Sequence, residues 1–213
     1  MIYITKTINI TYETYLDLVN IREGVFHPLD RFMDYNDLSS VINANHLENG
    51  NVWPLPVIQT IDDAVFPEIT EGEEYDLIFG DITIGSVSVD DKYKICKNKI
   101  ADLVFKTSDR NHPGVNLLFD GPNYAISGKL RFYNGSFIKN ADSGSANGSD
   151  SLFHHSFHLT PKETKQKFKE MGWRTIVGFQ TRNVPHLAHE YLQRCGLEIA
   201  DGLLLQPISG WKK

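Results

Sequence analysis

The sequence has few cysteines, no long hydrophobic run and no excess of basic residues. Its two cysteines, Cys96 and Cys195, lie far apart in the 213 residues without a CxxC spacing. This excludes a disulfide scaffold and a cysteine-rich zinc site, and it fits a reducing cytoplasm. No apolar run approaches the ~18 residues that a transmembrane helix needs, and the N-terminus lacks the apolar core of a signal peptide. We therefore expect a cytoplasmic protein with no membrane partner, and the formal net charge of −6 argues against a nucleic-acid partner.

A segment poor in core-forming residues divides the chain into two parts. It runs from residue 139 to residue 151 and reads KNADSGSANGSDS, which is typical of a linker or a mobile loop. We therefore predict one domain over residues 1–152 and a second, shorter domain over residues 153–213.

The N-terminal part has the pattern of a β-rich domain with few helices. Runs of β-branched and aromatic residues predict strands at residues 3–11, 52–60, 74–79, 82–90 and 129–138. Helices are predicted at residues 11–23, where Gly24 would end the helix, and at residues 35–44. The pair Asn134-Gly135 predicts a hairpin turn. Many short strands of this kind favour a small barrel or a strongly bent sheet.

The C-terminal part alternates between helices and strands. Its TPKE sequence, with Thr160 as the cap and Glu163 three residues later, predicts a helix that ends near Met171. A strand at residues 174–180, a helix at residues 185–195 closed by Gly196, and a strand at residues 202–206 follow. This βαβ order is typical of open parallel sheets, which bind ligands at the carboxyl ends of their strands. Because two strands cannot complete such a sheet, we expect a truncated domain or a partner that covers the open edge.

The stretch GFQTRNVPHLAHE contains the candidate site. Gln180, Arg182 and Asn183 stand where the predicted strand ends, and His186 and His189 stand in the first turn of the next helix. A helix N-terminus attracts anions, and an arginine fork matches a tetrahedral oxyanion. Histidines three residues apart share one helix face. Since no serine or cysteine is paired with a base, the pattern indicates direct reaction between two bound anions, aided by positioning and charge neutralisation.

Five motifs along the chain resemble those of the ATP sulfurylase family, the sulfate adenylyltransferases. They are FHPLDRFMD from Phe26, VWPLPV from Val52, TSDRNHPGV from Thr107, GFQTRNVPHLAHEYL from Gly178 and DGLLLQP from Asp201. Their order is that of the family, and the resemblance covers nearly the whole chain. It implies an α+β arrangement: an N-terminal PUA-like, β-rich and barrel-like domain, then the start of a Rossmann-like α/β nucleotidylyltransferase domain.

The resemblance also implies a reaction and roles for the site residues. ATP and sulfate would give adenosine 5′-phosphosulfate and pyrophosphate, with Mg²⁺ carried by the nucleotide and no metal bound by the protein. The resemblance assigns sulfate binding to Gln180 and Arg182. It assigns binding of the nucleotide phosphates to Asn183, His186 and His189. The two histidines would also stabilise charge as pyrophosphate leaves, and together with Arg182 they form the predicted catalytic set.

The chain departs from the family pattern in three places. Val184 separates the asparagine from the proline, and Leu187 stands between the histidines where the family often has a basic residue. The family's downstream GRD stretch, which helps to bind the nucleotide, does not occur in the catalytic part of this sequence. We therefore expect the 213 residues alone to be inactive.

Two other functions stay open at this point. The first is a related nucleotidylyltransferase whose acceptor is another oxyanion, such as selenate or molybdate. The second is a non-catalytic PUA-like module, for example for RNA, although the net acidity argues against it. The oligomeric state is also open, and a homo-oligomer is compatible with the sequence.

Several residues have structural interpretations as well. Arg182 could pair with Glu190, and Gln180 could be tied to the backbone. The triplet His154, His155 and His158 resembles a metal cluster by count but has no carboxylate or cysteine partner nearby. The sequence His112-Pro113-Gly114 predicts a turn.

Overall fold

The computed structural model describes residues 6–133 and 159–207. The chain divides into two compact units, Met1–Asp150 and Ser151–Lys213. The predicted hairpin turn, the predicted linker and the histidine triplet lie outside the described residues. None of the described helices combines the length and the apolar character that crossing a membrane requires.

The N-terminal unit contains five strands and four α-helices among its described residues. The strands are β1 (Thr7–Asn9), β2 (Gln59–Ile61), β3 (Glu74–Phe79), β4 (Ile82–Lys94) and β5 (Tyr124–Phe132). The helices are α1 (Tyr12–Arg22), α2 (Tyr35–Ala44), α3 (Lys97–Ile100) and α4 (Pro113–Asp120), and α3 continues into a π-helical turn at Ala101–Phe105.

The five strands form one mixed sheet in the order β1-β3-β4-β5-β2. Strand β1 runs parallel to β3, and the other neighbours are antiparallel. The register shifts twice, between Leu77 and Ile78 and between Val89 and Asp91, and such bulges bend a sheet and increase its twist. The strand predicted at residues 74–79 is confirmed as β3 with the same bounds, whereas the strand predicted at residues 52–60 is limited to Gln59–Ile61.

The FHPLDRFMD motif is hydrogen-bonded to this sheet. Phe32 and Met33 are both buried, and their carbonyl oxygens accept hydrogen bonds from the sheet. Ser127 Oγ donates to the Phe32 carbonyl at 2.6 Å, and Tyr93 Oη donates to the Met33 carbonyl at 2.7 Å. Because each donor is itself buried, these bonds satisfy polar groups that would otherwise be costly in the core. The motif is therefore structural in this unit.

Helices α1 and α2 confirm the predicted boundaries within a residue or two. Thr11 and Asp34 cap their N-termini, and Gly24, at φ +70°, follows the end of α1, as a glycine after a helix often does. The prediction for His112-Pro113-Gly114 is wrong, because His112 is the N-cap of α4 and Pro113 is its first residue. A histidine is an unusual cap, and a Pro-Gly pair usually indicates a turn.

The C-terminal unit has the predicted βαβ order. It contains α5 (Pro161–Glu170), β6 (Ile176–Thr181), α6 (Leu187–Leu197) and β7 (Gly202–Pro207). Strands β6 and β7 pair in parallel, and Thr160 and Glu163 form the predicted capping box on α5.

The prediction that Gly196 ends helix α6 is wrong. Gly196 lies inside the helix, which continues to Leu197. A Cβ at Gly196 would lie 3.1 Å from Val177 Cγ1 on β6, which is closer than ordinary van der Waals contact. The glycine therefore serves the close approach of the helix to the strand.

Candidate active site at the end of strand β6

The turn after β6 is fixed by a buried threonine. Thr181, the last residue of the strand, is 7% exposed. Its Oγ1 accepts a hydrogen bond from the Asn183 backbone N–H at 3.1 Å and donates to the Asn183 carbonyl at 3.1 Å. These two bonds close a tight turn, so Arg182 and Asn183 are presented at the carboxyl end of the sheet. From the sequence, Thr181 is expected at the start of a polar turn but is given no role of its own, although a threonine hydroxyl often bonds to the backbone two residues on.

The three polar residues predicted for the site are exposed. Gln180, Arg182 and Asn183 all present their side chains to solvent. The alternative pairing of Arg182 with Glu190 is not found. Glu190 instead accepts two hydrogen bonds from Arg194, from Nε at 2.9 Å and from Nη2 at 2.7 Å. Among the described residues, no ion pair or side-chain hydrogen bond occupies the Arg182 guanidinium, so it is available to an anion.

The histidine pair lies at the start of α6. His186 is the N-cap residue, but its side chain makes no capping hydrogen bond. The imidazole rings of His186 and His189 stack with their centroids 3.9 Å apart and their planes 28° apart. The structure thus brings the two rings together on one side of the helix start, as the three-residue spacing predicts.

A third ring sets the position of His189. The Phe179 ring on β6 meets the His189 ring edge to face, with a centroid distance of 5.6 Å and an interplanar angle of 70°. His189 is therefore held between a strand residue and its own helix neighbour, and only part of its surface is accessible. Its Nδ1 atom is buried and has no hydrogen-bond partner among the described residues.

The opposite end of the strands is held by Asp201. Its carboxylate accepts hydrogen bonds from the backbone N–H groups of Arg174 and Thr175 at 2.8 Å and 2.9 Å and from Thr175 Oγ1 at 3.0 Å. The two backbone bonds, followed by the hydroxyl bond, lower the pKa of Asp201. Asp201 lies just before β7, at the end of the strands opposite the candidate site. Its hydrogen bonds therefore join the starts of β6 and β7.

The donors at the candidate site suit anions rather than cations. A guanidinium, two amides, two imidazoles and the free N–H groups of a helix start are all able to donate hydrogen bonds. Across the described residues, no three His, Cys, Asp or Glu side chains cluster in a way that could hold a metal ion. The chemistry of these groups is that of hydrogen-bond donors to an anion.

Comparisons with known protein families agree with this division of the chain. Residues 4–135 match the family model described as a PUA-like domain. Residues 155–213 match the family model described as ATP-sulfurylase, and they include the whole candidate site.

Two curated relatives illustrate the similarity over the full chain. The sulfate adenylyltransferase of Ignicoccus hospitalis is 36% identical over 197 residues, which cover 92% of this chain and 48% of the relative. That of Thermococcus onnurineus is 36% identical over 210 residues, covering 97% of this chain and 50% of the relative. The chain thus spans about half the length of the curated relatives it matches.

A solved structure shows a related fold. It is a hexameric APS kinase from Thiobacillus denitrificans, with a TM-score of 0.68 and 20% sequence identity. The match covers 98% of this chain and 35% of that chain.

The chain thus comprises a β-rich unit with one mixed sheet and an α/β segment whose first strand ends in polar side chains and a helix start. The chain belongs to the PUA-like domain family, and its resemblance to the ATP sulfurylases is confirmed by the second family model and by the curated relatives.

Proposed function

We propose that this chain provides the sulfate- and phosphate-binding part of a sulfate adenylyltransferase. In this reaction a sulfate oxygen forms a bond to the α-phosphorus of ATP, and the bond from that phosphorus to the pyrophosphate oxygen breaks. The observation that carries the proposal is the stack of His186 and His189 at a helix start without a side-chain cap, a few residues after the exposed Arg182 at the end of β6. The names of the curated relatives support it.

Each site residue has a role that its chemistry allows. We assign sulfate to Arg182 and Gln180, because a guanidinium can donate two parallel hydrogen bonds to one oxyanion while an amide adds a neutral donor. Asn183 would donate to the nucleotide phosphates. These donors hold two mutually repelling anions in line, which is the main requirement of a displacement at phosphorus that has no covalent intermediate.

The histidines would act on the leaving group. His186 and His189 lie at the N-terminus of α6, where the helix dipole also favours negative charge. Donation from the two rings and from the helix N–H groups would stabilise the charge that develops on pyrophosphate. Both rings are held by stacking before any ligand binds, so little ordering is needed when the reaction occurs.

Arg182 is the most direct test of this assignment. In the 213-residue chain, followed by NMR during titration with sodium sulfate, we expect Arg182→Ala to weaken sulfate binding about 10- to 100-fold. This corresponds to the loss of one charge-assisted contact worth about 1.5–3 kcal/mol. Arg182→Lys should recover little of the affinity, because it loses the bidentate fork.

Arg194→Ala is the matched control for this experiment. It removes the same charge from the same unit, but its guanidinium already pairs with Glu190, so sulfate affinity should stay within about twofold of wild type. Equal sulfate affinity in Arg182→Ala and Arg194→Ala would remove Arg182 from the site and with it the sulfate assignment.

The two substitutions relative to the family pattern both lie on the surface of the site. Val184 is 86% exposed and Leu187 is 83% exposed, so neither fills a core position. Because Leu187 replaces the basic residue that the family often has here, we infer that the helix start carries one positive charge fewer. The site would then have a lower affinity for phosphate.

The remaining features of the proposal concern the wider protein. We propose that residues 153–213 are the first βαβ part of a Rossmann-like catalytic domain and that residues 1–152 form the PUA-like domain. Mg²⁺ would enter on the nucleotide, because the donors at the end of β6 are not the oxygen ligands that this ion prefers. We also propose a homo-oligomer for the complete protein.

A further inference from the structure

Helix α6 contains two buried side-chain atoms that lack hydrogen-bond partners among the described residues. They are Nδ1 of His189 and Nε2 of Gln193. The two residues are four positions apart in one helix, so their side chains are neighbours on the same face. A buried polar atom without a partner destabilises the fold, so a hydrogen bond between the two atoms would be favourable.

The two atoms are chemically complementary. The amide nitrogen of glutamine can only donate a hydrogen bond, and the unprotonated nitrogen of a neutral imidazole can only accept one. Side chains at positions i and i+4 of a helix are close enough to hydrogen-bond, so a change of the Gln193 rotamer would join the two atoms. Hydrogen bonds of catalytic groups are often loose in unliganded proteins and tighten when the ligand binds.

The surroundings leave His189 little freedom to turn the other way. One side of its ring stacks on His186, and the Phe179 ring packs against it edge to face. The neighbouring carboxylate of the helix, Glu190, is held by Arg194. Gln193 is therefore the side chain on this helix face best placed to serve His189 Nδ1.

We propose that Gln193 is a positioning residue that fixes the tautomer of His189. By donating to Nδ1, it places the imidazole proton on Nε2, and this N–H is then directed outward as a neutral donor to an anion. The tautomer itself does not depend on which anion binds, whereas its use for phosphate rests on the function proposed above. The residue thus acts through His189 and does not touch the ligand.

The tautomer can be read directly from ¹⁵N NMR of the imidazole rings in the 213-residue chain. Spectra are recorded at pH about 8.5, roughly two units above the pKa of a free imidazole, and His189 is assigned from the signal lost in His189→Asn. We expect a single tautomer with the proton on Nε2. In Gln193→Glu, whose carboxylate accepts instead of donating, the proton should move to Nδ1. In Gln193→Met, both ring nitrogens should shift toward the averaged values of an exchanging imidazole.

Gln166→Glu on α5 is the control, because it makes the same substitution in the same unit next to a side chain four residues away, Glu170. It should leave the His189 tautomer unchanged. A proton on Nδ1 in the wild-type chain would overturn the proposal, and so would an unchanged tautomer in both Gln193 variants. A purely structural role for Gln193 would change stability without moving the proton.

The same samples separate this inference from the proposed function. Sodium sulfate is titrated into the wild-type chain, and the ring signals of His189 are followed. If sulfate does not bind while the tautomer switches in Gln193→Glu, the proposed function fails and the positioning role stands. If sulfate binds but the tautomer does not switch, the positioning role fails alone.

Discussion

Gly202 is the position where a single methyl group should disturb the C-terminal unit most. This glycine is buried at the start of β7, where it pairs with Ile176. A Cβ atom at this position would overlap the Cδ2, Cε3 and Cζ3 atoms of Trp173. The indole also stacks on Phe168, with a centroid distance of 5.8 Å, so the ring cannot move aside without losing that contact.

The expected cost follows from two opposing effects. Adding a methyl group to a tightly packed place usually costs about 1–3 kcal/mol. Replacing glycine by alanine in an extended strand returns about 0.4–1 kcal/mol, because the unfolded chain has fewer conformations to lose. For Gly202→Ala we therefore expect a net loss of about 1–2 kcal/mol in the free energy of unfolding of this unit.

Gly178→Ala provides a control on the neighbouring strand. A Cβ at Gly178 would meet no atom within 4 Å, so this variant should be neutral or more stable by up to about 1 kcal/mol. Urea unfolding of the full chain, followed by circular dichroism and tryptophan fluorescence, measures both variants. If Gly202→Ala is as stable as Gly178→Ala, the packing of Trp173 over Gly202 is refuted.

Three further substitutions test charges and polar groups. Backbone hydrogen bonds from Arg174 and Thr175 lower the pKa of Asp201, so its ionised carboxylate stabilises the fold at neutral pH. Asp201→Asn should therefore lower the urea midpoint at pH 7 but not at about pH 2. Burial, followed by repulsion from a nearby glutamate, raises the pKa of Asp17 from 3.8 to about 6, so the stability of the fold should fall as pH rises through this window. With a discount for the exposed part of the side chain, Asp17→Asn should raise the free energy of unfolding by about 1 kcal/mol at pH 7 and leave it unchanged below pH about 4. Gln59 is 1% exposed with both amide atoms unpaired among the described residues, so Gln59→Leu should raise the free energy of unfolding by about 1–2 kcal/mol.

Different outcomes would contradict each of these three predictions. An Asp201→Asn deficit that persists undiminished at low pH would mean that the side chain acts through packing. A loss of stability in Asp17→Asn at pH 7 would show that its carboxylate is ionised and paired in the fold. Destabilisation by Gln59→Leu would reveal a water or another partner bound to the amide.

The elements with local signals could be predicted from the sequence. The capping box at Thr160 and Glu163 closes within four residues, and the boundaries of α2 follow from Asp34 at its start and a left-handed Asn45 at its end. The order of β6, α6 and β7 follows from hydrophobic runs separated by polar turns. Each of these signals is complete within one turn or one strand, so no distant contact is needed to interpret it.

The segment between β4 and β5 could not be predicted in the same way. Its π-helical turn and α4 pack closely on each other: a Cβ at Gly114 would lie 2.6 Å from Phe105 Cε1, nine positions earlier in the chain. The N-cap bond of α4, from the Val115 N–H to His112 Nδ1, is 3.4 Å long and involves a residue type that rarely caps helices. Tertiary packing therefore overrides the turn that the Pro-Gly pair favours.

The candidate site divides along the same line. The residue types and the strand–turn–helix setting of Arg182 and the histidines follow from the sequence, because the turn and the three-residue spacing are local. The sequence does not predict the ring stack of His186 and His189 or the burial of Gln193 Nε2. These features depend on side-chain rotamers and, for His189, on packing against Phe179. Sequence patterns thus predict which side chains would donate to an anion, whereas the ring contacts that position the histidines are found only in the structure.

The charges around the site limit what this part of the chain can do by itself. Arg182 is the fixed positive charge at the end of β6, because the next arginine, Arg194, is paired with Glu190. Sulfate and a nucleotide triphosphate together carry several negative charges, and the full chain adds a net charge of −6. One guanidinium, a helix dipole of about half a charge and neutral donors cannot balance that total. Under the proposed function, further positive charge would have to come from a cation carried by the nucleotide and from residues outside the site. We therefore expect sulfate alone to be the ligand that these residues bind most readily.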